Sequence, residues 1–254
     1  MIVGVIVNAA KDPGLDYAKD VEAWLKARGC QLAWEDKAYK SDFLVVLGGD
    51  GTMLQASKKA AKYNTPMLGI NLGNLGYLTD ADRGDGLKAI EKVLAGDFRR
   101  EQRMMLKTRD KLALNEVFLH SKTSKLAAYR IDVGQGHMDT LRADGIIVST
   151  PTGSTAYNLS AGGPILKPDS EMMVVTPVCP HTLYARPWVV SGEDEVCITP
   201  VDENALAVLD GEVKFHINKG ESMIINRAEC RATIIKTSKM DFFEVLRKKM
   251  GNAR

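Results

Sequence analysis

The chain is poor in cysteine and in net charge, and each shortage excludes something. Four cysteines, Cys30, Cys179, Cys197 and Cys230, are scattered through 254 residues with no C-x-x-C pair, which argues against a disulfide framework and a zinc site. They read as small buried hydrophobes. With 34 basic and 32 acidic side chains the formal charge is only +2, so nothing points to DNA, RNA or an anionic membrane, and the expected partner is a small molecule. The apolar start, Ile2 to Val7, is too short for a secretory segment. No later run approaches the ~20 apolar residues of a membrane span, so the expected location is the cytoplasm. No Gly-Lys dipeptide occurs, which removes a Walker A loop, and neither H-R-D nor D-F-G is present for a protein kinase.

What is present is a 45% hydrophobic, 26% charged chain able to form one large domain or two modest ones. Up to about Asp97, strands and helices alternate: Ile2–Asn8 as strand, a helix to about Arg28 stopped by Gly29, the strand Phe43–Leu47, a helix from Thr52, the strand Met67–Ile70 and a helix over Gly86–Leu94. That is the βαβ pattern of a parallel sheet, with Val21, Trp24 and Leu25 on the inner face of the first helix. From Arg99 to Thr237 the helical period fades, and strand-like runs such as Leu112–His120, Ile146–Ser149, Met172–Thr176 and Ala232–Lys236 follow one another between turn signals. The expected division is an α/β domain over 1–98, a β-rich domain over 99–237, and a closing helix over 238–254 that packs back on the first domain.

Three stretches carry chemistry. In VVLGGDGTML, Val45 to Leu54, a strand ending at Leu47 meets a helix starting near Thr52. Glycines in such a turn admit positive φ and bring backbone N–H groups close to a phosphate. The bare carboxylate of Asp50 among those donors is unexpected. RADGIIVSTPTGSTAYNLSAGGPIL, Arg142 to Leu166, crowds short hydroxyls and glycines around one tyrosine, which suits a ligand better than a core, though a wide surface turn would look similar. In LALNEVFLH the strand is interrupted by Asn115 and Glu116. Strict alternation would put Leu114, Glu116 and Phe118 on one face, so Glu116 either has a partner or faces water at a sheet edge.

Taken together, Gly49-Asp50-Gly51-Thr52, Asn115-Glu116, the run from Asp144-Gly145 through Ser149-Thr150-Pro151-Thr152-Gly153-Ser154-Thr155-Ala156-Tyr157, Gly162-Gly163-Pro164 and TPVCPHTLYARP resemble the NAD kinase family, in order and across most of the chain. The resemblance implies ATP-dependent phosphorylation of the 2′-hydroxyl on the adenosine ribose of NAD to give NADP. It further implies an N-terminal α/β parallel-sheet domain with a C-terminal β-sandwich, a divalent metal (Mg2+ or Mn2+), and a cytoplasmic homodimer or homotetramer.

Phosphoryl transfer needs an aligned hydroxyl, a neutralised triphosphate and a carboxylate to receive the proton; Asp50 is the expected acceptor. Gly48, Gly49, Gly51 and Thr52 form the expected phosphate-binding turn, with Gly51 also against substrate. By similarity, Asn115 and Glu116 contact the adenosine part of NAD and Asp144 a ribose on the nicotinamide side. Thr155, Ala156, Tyr157, Asn158, Ser160 and Ala185 line the dinucleotide pocket, Arg142 meets a phosphate, and Tyr77 in NLGYLTD lies near adenine. No side chain is singled out as a protein ligand for a metal. The chain departs from the family at two places: many members have a basic residue where Gln55 stands, and an Asp-Gly/Ser-Gln segment appears here as Asp210-Gly211-Glu212. Cys179 with His181 makes too few ligands for zinc, His120, His137 and His216 are isolated, and Arg247-Lys248-Lys249 reads as a solvated face. Lipid and sphingoid-base kinases share the G-G-D-G-T turn but are not expected to have the long serine/threonine run. A silent dinucleotide-binding module would have no need of Asp50.

Overall fold

The computed structural model describes residues 1–73, 76–123 and 126–251, apart from the side chain of Val213. The chain divides into two compact units, Met1–Gln102 with Arg231–Arg254, and Arg103–Cys230. The first unit opens with β1 (Ile2–Val7), α1 (Asp16–Lys26), β2 (Gln31–Trp34), the single turn α2 (Glu35–Ala38) and β3 (Phe43–Gly48), then continues with α3 (Asp50–Tyr63), β4 (Met67–Asn71), β5 (Ala81–Asp82), α4 (Gly86–Leu94) and β6 (Arg99–Arg103). The second contains β7 (Leu106–Thr108), β8 (Lys111–Ala113), β9 (Glu116–Ser121), β10 (Ala127–Val133), β11 (Gly136–Ala143), β12 (Gly145–Ser149), a 3-10 turn at Gly153–Thr155 and α5 (Tyr157–Ser160). It is completed by β13 (Met172–Val178), β14 (Trp188–Ser191), β15 (Val196–Pro200), β16 (Ala205–Leu209), β17 (Val213–Ile217) and β18 (Met223–Arg227). β19 (Ala232–Lys236) and α6 (Phe242–Gly251) return to the first unit.

The first unit is built on a sheet of order β2-β1-β3-β4-β19-β6, with β5 beside β4. β1 runs parallel to β2 and β3, and β4 parallel to β3, β5 and β19. Every residue of β3 is buried, which is why its sequence is a continuous apolar run rather than an alternating one. On α1, Tyr17, Ala18, Val21 and Leu25 are buried against this sheet, and Trp24 packs half-buried beside them. Because β1 lies between β2 and β3, the loops after β1 and β3 diverge to opposite sides, and the crevice at their carboxyl ends is a topological switch point.

The second unit is a sandwich of two antiparallel six-stranded sheets, β11-β10-β15-β18-β7-β8 and β14-β13-β12-β9-β16-β17. Alternate residues fill the space between them: Val117 and Leu119 of β9 and Ile146 and Val148 of β12 meet Tyr129 and Ile131 of β10 and Val196 and Ile198 of β15. Burial pushes the Tyr129 phenol far above its ordinary pKa.

Three expectations are corrected. The run Ala232–Lys236, expected in the β-rich domain, is a fully buried strand of the first sheet, with Ile234 in parallel register with Met67; an apolar β-branched run does not reveal which sheet it enters. The expected strand Leu112–His120 breaks at Leu114–Asn115 into β8 and β9. β9 is central rather than an edge and Glu116 is buried, which leaves the second of the two readings of Glu116, exposure at an edge, without support. None of the four cysteines is buried: Cys179 is exposed, and the others are partly so. Cys197 alternates with the inward Val196 and Ile198 on β15, and Cys179 sits in a turn with φ 47°.

Candidate active site

The first unit brings Asp50 to the carboxyl end of β3. The turn is tighter than the sequence suggests: β3 runs to Gly48 and α3 begins at Asp50, leaving Gly49 alone between them, at φ −153° and ψ −168°. None of Gly48, Gly49 and Gly51 has positive φ, so the glycine requirement is one of space, not of backbone conformation. A Cβ at Gly48 would lie 2.2 Å from Thr52 Oγ1, whereas nothing lies within 4 Å of one at Gly51, whose surroundings are open. Thr52 is buried, and its hydroxyl accepts a hydrogen bond from Asn8 Nδ2 at 3.1 Å. It therefore ties the β1 loop to α3.

Asp50 is gripped from a segment distant in sequence. The Tyr77 N–H donates to Oδ2 at 2.7 Å and the Leu78 N–H to Oδ1 at 2.9 Å. Gly76 makes this approach possible, because a Cβ there would stand 2.1 Å from Asp50 Oδ1. Lys249 of α6, read from sequence as part of a solvated face, places its ammonium 3.8 Å from Asp50 Oδ2 and 4.8 Å from the centroid of the Tyr77 ring. Tyr77 is half-buried, and burial, followed by the nearby Asp50 charge, raises its phenol pKa. The result is a fixed carboxylate at a helix start, with one face of the turn open at Gly51.

In the second unit the serine and threonine run divides into two classes. Thr150, Ser154 and Asn158 are buried and build the loop. The Thr150 hydroxyl donates to the Leu114 carbonyl at 2.6 Å and accepts from the Gly153 N–H at 3.0 Å. Ser154 donates to the Pro151 carbonyl at 2.7 Å. Asn158 Nδ2 donates to the carbonyls of Ser154 and Pro164, and its Oδ1 accepts from Thr176 at 2.6 Å. Asn158, expected to help bind substrate by backbone or side chain, thus has its side chain engaged inside the protein. Thr155 and Ala156 are half-buried, while Tyr157 and Ser160 are exposed and available to a ligand. The Tyr157 ring meets Phe118 edge-on at 5.1 Å, and Phe118 stacks on His120 at 4.8 Å.

Asn115 and Glu116 are joined to this loop. The Thr150 N–H donates to the Asn115 carbonyl at 2.9 Å, and a Cβ at Gly153 would fall 2.0 Å from that same oxygen, so only glycine fits. From the other side the buried carboxylate of Asp210 accepts the N–H groups of Leu114, Asn115 and Glu116 at 3.0, 2.8 and 3.2 Å. Asp210 has φ 49° and opens the turn from β16 to β17, which Glu212 closes by donating its N–H to the Leu209 carbonyl. Asp144 is exposed at the junction of β11 and β12, its N–H donated to the Val178 carbonyl. Arg142 is paired with Asp202 at 2.9 Å and donates to the Leu126 carbonyl; with His181, Tyr184 and Ala185 it lines a cleft of about 300 Å³.

Sequence reasoning missed Asp210 as a clamp, the paired N–H groups of Tyr77 and Leu78, and Lys249. The Asp-Gly pair at 210–211 is a hairpin signal that could have drawn attention to the first; the other two leave no local trace. Among the described residues no three His, Cys, Asp or Glu side chains converge on a metal site.

Comparison with known proteins identifies the family. The ATP-NAD kinase N-terminal domain model matches residues 35–98, and the ATP-NAD kinase C-terminal domain model matches residues 114–237. An NAD kinase of Caldanaerobacter subterraneus subsp. tengcongensis is 37% identical over 98% of this chain and 98% of its own, and one of Moorella thermoacetica is 35% identical over 98% and 88%. A crystal structure of an Archaeoglobus fulgidus NAD kinase in complex with ATP superposes with a TM-score of 0.85 at 28% identity, covering 100% of this chain and 99% of that one. Yeast NADH kinase complexed with NADH has the same fold, with a TM-score of 0.84 at 22% identity over 99% of this chain and 87% of the other. Two domain models matched in the order of the two structural units, together with near full-length relatives, exclude the lipid-kinase alternative: the chain belongs to the NAD kinase family.

Proposed function

We propose that Asp50 is the proton acceptor as this chain transfers the γ-phosphate of ATP to the 2′-hydroxyl of the adenosine ribose of NAD, giving NADP. The observation that carries this reading is the carboxylate fixed by the N–H groups of Tyr77 and Leu78 at the start of α3, beside the open backbone of Gly51. A carboxylate held in one position loses little freedom when the hydroxyl arrives, and phosphoryl transfer asks the protein chiefly for position and charge. The backbone N–H groups of the Gly48–Thr52 turn, at the positive end of the 14-residue α3, receive the phosphates of ATP.

The dinucleotide is held by the second unit. Asn115 and Glu116 take the adenosine part, positioned by Asp210 and Thr150. Thr155, Ala156, Tyr157 and Ser160 form the accessible wall, with Asn158 contributing through its backbone. Asp144 meets the second ribose, and Arg142 with Ala185 lines a cleft toward a phosphate. Tyr77 offers its ring to adenine. The donor set suits a divalent metal carried in on ATP rather than caged by the protein: Mg2+ usually takes one or two carboxylates plus substrate phosphates, and Asp50, at the turn, would be one such carboxylate. Such an ion, when bound, neutralises the triphosphate. The protein acts in the cytoplasm as a homodimer or homotetramer assembled through the sandwich.

The test is NADP production from NAD, ATP and Mg2+, read by an NADP-specific dehydrogenase, in wild type and Asp50→Asn. The variant keeps the shape of the turn but removes a proton acceptor that contributes ~100- to ~10,000-fold. Turnover should fall by that order at saturating ATP and metal, with NAD affinity by calorimetry changed far less. Near-normal turnover would move the base elsewhere, with Glu116 the next candidate.

A further inference from the structure

The triphosphate of the donor needs positive charge, and α3 places the uncharged Gln55 one turn past Gly51. The loop after β1 supplies a cation instead. Its backbone is built as a rigid turn: the Asn8 N–H donates to the Leu47 carbonyl at 2.8 Å, the Asn8 carbonyl accepts from the N–H groups of Lys11 and Asp12, and Asn8 Nδ2 reaches Thr52 Oγ1 on α3. Asp12, the carboxylate next to Lys11, is buried and turned to the start of α1, where it accepts the Tyr17 and Ala18 N–H groups. Lys11 is thereby left on the outer side of the loop. Its ammonium lies over the phosphate-binding turn, 2.5 Å from where a Cβ at Gly49 would stand and 3.9 Å from where one at Gly73 would stand.

Three observations separate Lys11 from an ordinary solvated lysine. It sits at the switch point between β1 and β3, where open parallel sheets bind ligands. Among the described residues it forms no ion pair, whereas Lys249, the other ammonium near the turn, is already within 3.8 Å of Asp50. The place it covers is the one residue between β3 and α3, at the N-terminal end of that helix, which favours negative charge.

We propose that Lys11 binds the phosphate chain of the donor, supplying from the β1 loop the charge that Gln55 does not supply from α3. This rests on the reading of the Gly48–Thr52 turn as the phosphate site. A charge-assisted contact of this kind corresponds to about a 10- to 100-fold change in affinity.

Lys11→Gln and Lys11→Arg, compared with wild type, test it. Lys11→Gln should raise KM for ATP by about 10- to 100-fold and weaken calorimetric binding of inorganic tripolyphosphate by a similar factor. KM for NAD and the thermal midpoint should stay near wild type, and Lys11→Arg should recover most of the loss. Unchanged KM for ATP and unchanged tripolyphosphate binding in Lys11→Gln would overturn the proposal. So would a loss that extends equally to NAD and to thermal stability, since that would mean the lysine only holds the loop. If wild type made no NADP, the functional reading would fail, while the tripolyphosphate titrations would still decide whether Lys11 holds phosphate.

Discussion

Asp210 offers the sharpest test of how the proposed dinucleotide contacts are positioned. Its buried carboxylate accepts three consecutive N–H groups, from Leu114, Asn115 and Glu116, at 2.8 to 3.2 Å. Hydrogen bonds to a charged group contribute roughly 1.5–3 kcal/mol each, with losses less than additive when the partners are neighbours. Removing the carboxylate should therefore cost about 3–5 kcal/mol. For a chain of this size that is roughly 10 °C in Tm. Because Asp210 has φ 49°, Asp210→Ala would add a backbone penalty of ~1 kcal/mol, while Asp210→Gly removes the carboxylate without it. The glycine variant isolates the lost hydrogen bonds, and Asp210→Asn, which keeps one acceptor oxygen, should fall between it and wild type. Chemical denaturation with parallel kinetics checks both consequences. KM for NAD should rise at least tenfold in Asp210→Gly, because Asn115 and Glu116 lose their fixed geometry, while KM for ATP changes little. A glycine variant within about 1 kcal/mol of wild type, with unaltered KM for NAD, would refute the reasoning.

Gly76→Ala would push a methyl to within 2.1 Å of Asp50 Oδ1. Turnover should drop by about 100-fold as the carboxylate is displaced from the Tyr77 and Leu78 N–H groups, and a change below threefold would show that the clamp does not position the base. Excess chelator should abolish NADP formation and added Mg2+ restore it; metal-independent turnover would remove the ion from the proposed chemistry. Light scattering at micromolar concentration should give at least twice the 27.8 kDa chain mass, and a monomer there would contradict the proposed assembly.

Much of the architecture was readable because it is local. The run into Gly48-Gly49-Asp50 announced a parallel strand followed by a helix, since a strand buried on both faces must be apolar throughout. Alternation announced strands with one face in the sandwich core, as in Val117 and Leu119. Polar edge strands such as β11 escaped notice for the complementary reason: much of their surface is exposed, so little apolar period is imposed on them. The long motif from Asp144 to Tyr157 raised the expectation of a ligand loop in the second unit. It did not show that Thr150, Ser154 and Asn158 build that loop while Tyr157 and Ser160 remain accessible.

What only tertiary structure decided concerns groups far apart in sequence. The Asp50 carboxylate meets N–H groups 27 and 28 residues later, and Asp210 meets those of residues 94 to 96 positions earlier. β19 leaves the β-rich segment to join β4, and Lys11 comes over Gly49 because β1 and β3 are neighbours. Local sequence determined which residues could form strands, helices and a phosphate-sized turn, because backbone preference and side-chain period act over a few residues. The partners of Asp50, Asn115 and Lys11 were decided by strand order and close packing, whose forces act through space and leave no periodic trace along the chain.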